Sequence, residues 1–152
     1  QYCDKVLPNA GNSFCTIKNI GCLLSCLANI VQIAPDKIME ANPDNFNPGG
    51  YMQTDALYGK YGYKIRKVAH PVGNPLPKSD KPYIAVTSFF ARLNPAWKTH
   101  FYLVNPDGTI TDTASISPLK QVNRYADSTF EIRYVEQVQS VNPTKICPTC
   151  GK

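Results

Sequence analysis

Apolar residues recur at helical spacing in CLLSCLANIV, where Leu23, Leu24, Leu27, Ile30 and Val31 fall on one side. This spacing predicts a helix that begins near Gly21. In APDKIMEAN, Pro35 stands at a first helical position with acidic residues in the first turns, which predicts a second, short helix. TDALYGKYG predicts a third, capped by Thr54 and stopped at Gly62, with the turn-forming PDNFNPGG before it. Beyond Gly62 the period falls to two. YKIRKVA alternates, PYIAVTSFF is a β-rich run suited to a central strand, and HFYLV and TITDTA flank NPDG, a hairpin turn. FEIRYVE also alternates, with Phe130, Ile132 and Tyr134 on one face and Glu131, Arg133 and Glu136 away from it or at its end. Helices first and strands second predict an α+β fold in which an antiparallel sheet packs against a leading helix.

A chain of 152 residues with 43% apolar composition can bury one core and is too short for two comfortable domains. A single domain over residues 1–152 is expected, ending in a cysteine-containing tail at about 141–152. The longest apolar runs, CLLSCLANIVQIA and IAVTSFFA, fall short of the ~20 residues that cross a bilayer, so no membrane span is expected. The chain opens on Gln1 rather than Met, which suits a processed form or a domain cut from a longer protein. Sixteen basic against 11 acidic residues give a net charge of +5. The basic residues are dispersed, with GKYGYKIRKVAH the densest stretch. That distribution argues against a nucleic-acid groove and suits mild attraction to an anionic polymer such as a bacterial cell wall.

The candidate chemistry centres on Cys22. A thiol at a helix N-terminus lies near unpaired backbone N–H groups and the positive end of the helix dipole, which favour the thiolate and can stabilise a neighbouring oxyanion. Gly21 is expected to let the chain turn tightly ahead of it. Cys26, one turn further in, is expected to point into the core with Leu23 and Ile30. The chain has two histidines. His70 lies in the loop-like KVAHPVGNP with nothing to orient it, whereas His100 opens a strand and Asp112 falls on the strand across the hairpin turn, where a carboxylate could hold the imidazole in one tautomer. The order Cys22, His100, Asp112 is that of a papain-like triad.

The stretches IGCLLSCLANI, APDKIMEAN, KPYIAVTSFF, HFYLVNPDG and TITDTAS together resemble the papain-like cysteine peptidases related to the bacteriocin (double-glycine) leader peptidases, especially their stand-alone relatives in phages and Gram-positive bacteria. The resemblance spans roughly residues 14 to 118. It implies a papain-like fold, with Cys22 as nucleophile, His100 as base and Asp112 as the orienting residue, and no cofactor required for catalysis. The substrate class it implies is peptide, above all the stem peptides of peptidoglycan, with cleavage of a protein precursor as an alternative. The corresponding setting is a lysin or part of a larger phage protein, extracellular or virion-associated. A papain-like structural or binding module without turnover is the contrasting expectation. The chain departs from the family in having Ser25 and Cys26 for Thr-Ser and Thr113 for a proline after the aspartate, so Asp107 and Asn105 stand as alternative orienting residues. Thr16 occupies the place of the usual oxyanion-hole glutamine, leaving Asn19 or a backbone N–H for that role.

Four further cysteines stand near the two ends. ICPTCGK has the form of a zinc knuckle, so Cys147 and Cys150, joined by Cys3 and Cys15 if the termini meet, would complete a structural zinc site. Disulfides among the same four are the other reading, and would accompany an oxidising, extracellular setting. A zinc-dependent nucleic-acid module is the weakest reading of this motif, given the dispersed charge.

Overall fold

The computed structural model describes residues 5–11, 21–89, 99–111 and 125–138. The apolar stripe of the first predicted helix forms α1, Cys22–Val31, and buries Leu24, Cys26, Leu27 and Ala28. It ends at Gln32, whose left-handed conformation (φ 59°, ψ 41°) turns the chain and aims its N–H at the Ala28 carbonyl. Pro35 then starts α2, Pro35–Ala41, at 100° to α1, with Ile38 and Met39 buried. A 3-10 turn at Pro43–Asn45 leads to a small hairpin of β1 (Phe46–Asn47) and β2 (Tyr51–Met52). The third helix is α3, Thr54–Lys60. Its cap position falls on Gln53 rather than Thr54, which is already helical. Gly62 follows at φ +88°, a conformation open to glycine and costly for other residues, so the chain turns there into the sheet. The segment 5–11 is held down by Leu7, which is buried, and by Lys5, whose Nζ lies 3.1 Å from Asp36 and 2.9 Å from Glu40 on α2.

The strands are β3 (Tyr63–Ala69), β4 (Tyr83–Thr87), β5 (His100–Val104), β6 (Ile110–Thr111) and β7 (Thr129–Gln137). They form one five-stranded sheet in the order β3-β7-β4-β5-β6, with each neighbouring pair antiparallel. The run expected to be central is central: β4 occupies the middle and buries every side chain. Helices and an antiparallel sheet make this an α+β fold. No single described helix is long and apolar enough to cross a membrane.

Alternation along the strands divides the core into two layers. Ile84, Leu103 and Val135 face Leu24, Leu27, Ile38, Leu57 and Tyr58, so α1, α2 and α3 cover that side. Tyr83, Ala85, Tyr102, Val104 and Ile132 face the other way and pack with Phe89 and Tyr125. The alternation expected in FEIRYVE is present, but its second face is not a solvent face. Glu131 and Arg133 share a side with Val135, toward the helices, and are only partly exposed.

A bulge keeps the second layer continuous. Against β4, β7 pairs Val86 with Glu131 and Thr87 with Thr129, so Phe130 is the extra residue and Thr129 turns back into the aromatic layer. There its hydroxyl donates to the Tyr125 carbonyl (2.6 Å) and therefore accepts the proton of the Tyr102 hydroxyl (2.8 Å). Thr129 is fully buried, so removing its hydroxyl takes both of these bonds out of a place closed to water. Thr129→Val is expected to lower the unfolding free energy by about 1–3 kcal/mol, measured by urea denaturation. An unchanged midpoint would remove this bridge from the account of the second layer.

Candidate functional site

Cys22 is the first residue of α1 and is half-buried, with a free thiol. Cys26, one turn on, is fully buried in the helix-side core, as expected from its position. Among the described residues, no side chain caps the start of α1. The first backbone N–H groups of α1 thus lie at the Cys22 end of the helix, where such groups can hold an adjacent oxyanion. The role expected of Gly21 needs correction. Its backbone, at φ −92° and ψ 23°, adopts a conformation open to other residues, so conformational freedom is not what places Cys22.

Tyr58, from α3, lies under this end of the helix. Its hydroxyl donates to the carbonyl of Leu23, the residue after Cys22, at 2.9 Å. The phenol is fully buried, and burial is the main force pushing its pKa well above the usual tyrosine range. Negative charge on Cys26 and Cys22 pushes the same way, and the Arg133 guanidinium opposes it. Neither Tyr58 nor Arg133 emerged from the sequence as part of a site. The available signal was small: positions 131, 133 and 135 share one face of β7, and Val135 marks that face as apolar in part.

His100 opens β5, the strand on which α1 packs, and is buried. Its ring, however, takes the same side as Tyr102 and Val104, and stands edge-on to Tyr125 with centroids 5.6 Å apart. Phe101 and Leu103 are the residues of β5 that face the helices. The structure therefore brings the two elements together and directs the His100 ring to the opposite layer from α1. His70 sits in a loop, with Nε2 3.1 Å from the Asn74 carbonyl oxygen. Of the alternative orienting residues, Asp107 and Asn105 lie in the turn that follows β5, at the far end of that strand from His100. The Asp107 carboxylate accepts from the Thr109 N–H (2.9 Å) and hydroxyl (2.6 Å), and these bonds hold its pKa below the usual range. Asn105 Nδ2 donates to Thr109 and Thr111. Both serve the hairpin.

Asp112, Asn19, Cys3, Cys15, Cys147 and Cys150 lie outside the described residues. Among the described residues, no group of three or more His, Cys, Asp or Glu side chains could hold a metal ion. No protein-family model matches the chain, and no match was found among curated proteins or solved structures.

Two buried phenols make the fold sensitive to alkali. Burial also raises Tyr83, with smaller contributions from charge on Tyr102 and Tyr134, while its hydroxyl donates to the Pro77 carbonyl at 2.7 Å. In the unfolded chain both phenols release their protons near pH 10; in the folded chain they do so only above that. Their stabilising contribution is thus complete below about pH 10 and is lost as pH rises further. Tyr58→Phe should cost about 1 kcal/mol at pH 8 through the lost hydrogen bond, yet decline less steeply than the wild type between about pH 10 and 12. Urea midpoints across that range check this, and parallel curves would remove Tyr58 from the alkaline transition.

Proposed function

We propose that the protein is a papain-like cysteine hydrolase acting on peptide or amide bonds, with peptidoglycan stem peptides as its substrate class. The observation that carries this reading is Cys22: a free, half-buried thiol at the start of a core helix where, among the described residues, no side chain caps the backbone N–H groups, which can hold a developing oxyanion. In the proposed reaction the Cys22 thiol gives up its proton and the sulfur adds to the scissile carbonyl carbon. The carbonyl oxygen takes the developing charge against the N–H groups of α1. The carbon–nitrogen bond breaks, the amine leaves with a proton, and water hydrolyses the thioester to regenerate the thiol. His100, expected from the sequence to carry the proton with Asp112 orienting it, faces the layer away from α1, so in this reading water carries the proton. The dispersed positive charge of the chain favours an anionic wall polymer over a neutral one.

One observation favours a second reading. The His100 ring packs against Tyr125 on the side of the sheet away from α1, as in a papain-like module that binds without turnover. The two readings separate on purified peptidoglycan under reducing conditions, with new amino groups and new reducing sugars counted apart. The expected result is release of amino groups by the wild type, reduced to background in Cys22→Ala, with Cys26→Ala losing stability rather than turnover. Labelling of Cys22 by a thiol-reactive probe without any release of amino groups would favour the binding module. Equal loss of activity in stable forms of both variants would overturn the assignment of Cys22.

A further inference from the structure

Among the described residues the sheet has one long free edge. β3 pairs with β7 over its whole length, from Tyr63 opposite Gln137 to Ala69 opposite Glu131, and with no described strand on its other side. Two bonds just beyond the strand fix which backbone groups face that side. The Val138 N–H donates to the Gly62 carbonyl (2.8 Å), and the His70 N–H donates to the Phe130 carbonyl (2.9 Å). Bonded pairs alternate along an antiparallel ladder, so Lys64, Arg66 and Val68 also turn their N–H and C=O groups to β7. Those of Tyr63, Ile65, Lys67 and Ala69 turn to the open edge.

The side chains along this edge differ between its two faces. Lys64 and Arg66 are exposed on the face that carries Tyr134, with Arg66 set over the Tyr134 ring, 4.5 Å from its centroid, and bonded through Nε to Glu136 at 3.1 Å. Tyr63 and Ile65 lie on the other face, half-buried, and pack against the apolar cluster under the helices. Lys67, exposed, follows them on that face. Glu136 offsets one of the three positive charges, while Lys64 and Lys67 have no ion-pair partner among the described residues. The chain does not hold the complementary charge in reserve. Of its 11 acidic residues, only Asp4 and Asp112 fall in residues 1–4, 12–20, 90–98, 112–124 and 139–152.

We propose that β3 is a docking edge for an extended acidic segment of another protein, which adds to the sheet as a further antiparallel strand. The segment alternates acidic and apolar residues. Its carboxylates lie beside Lys64 and Arg66, its apolar side chains extend the layer begun by Tyr63 and Ile65, and Lys67 takes a further carboxylate at one end. Backbone bonds to Tyr63, Ile65, Lys67 and Ala69 supply affinity, and the charges select partner and register. Directly opposed residues on antiparallel strands share a face, so the apolar residues of the segment are the ones whose N–H groups bond to β3. β3 stands at the other side of the sheet order from β5, on which α1 packs, and the proposal is independent of the role of Cys22.

The probe is a heptapeptide of alternating glutamate and valine with blocked termini, beginning and ending on glutamate. Its binding at millimolar concentration is read by fluorescence anisotropy and by amide hydrogen exchange in the protein. Saturating probe should slow exchange at Ile65 and Lys67 and leave Lys64 and Arg66, already bonded to β7, unchanged. N-methylation of the probe's valines should abolish binding, whereas N-methylation of its glutamates, whose N–H groups point away from β3, should not. Lys64→Glu combined with Lys67→Glu should weaken binding about tenfold. The same double variant should bind the corresponding lysine–valine peptide, a reversal that misfolding would not produce. Binding that survives N-methylated valines would reduce the contact to charge alone and overturn the proposal. So would a probe that fails to bind, or one that binds without slowing exchange at Ile65 and Lys67.

Discussion

Burial of β4 on both faces is the constraint from which the rest of the architecture follows. All five side chains of this strand are removed from water, so each face of the sheet must be covered by its own apolar layer. On one side the cover is aliphatic in character and comes from the three helices. On the other it is aromatic, with Tyr83, Phe89, Tyr102 and Tyr125 assembled around one another. Polar atoms inside that second layer are tolerable because Thr129 links the Tyr102 hydroxyl to the Tyr125 carbonyl. The bulge at Phe130 is what aims Thr129 there.

A two-sided sheet makes the parity of each residue decide its chemistry. Within β5, His100 goes to the aromatic layer and Phe101 to the helical one, although they are neighbours in the chain. Helices, strands and the central place of β4 were legible in the sequence because periodicity and turn residues are local signals. Which layer a given side chain joins was not, since the pattern of HFYLV reads as strand without saying what covers either face. The same ambiguity placed Glu131 and Arg133 away from the apolar face without saying what covers them. In addition, the approach of Tyr58 to Leu23 joins residues 35 positions apart, a contact that no local pattern announces. The placement of Cys22 at a helix start and of Cys26 in the core was legible, because both follow from the apolar stripe of α1 alone.

The surroundings of Cys22 are electrostatically mixed. The Tyr58 phenol is buried against the Leu23 carbonyl, and negative charge on Cys26 or Cys22 would oppose its ionisation while the Arg133 guanidinium would favour it. Glu131 tempers the guanidinium from the other side.

The edges of the sheet bear on how the molecule behaves among its own copies. Among the described residues β6 spans only Ile110–Thr111, and β3 pairs with β7 alone. Along its open side β3 carries Lys64, Arg66 and Lys67, all exposed. A second chain seeking to extend the sheet there would bring like charges together along several residues before any backbone bond could form. Strand addition by a second copy along the β3 edge is thereby disfavoured, while β4 and β5 already have a partner on each side within the sheet.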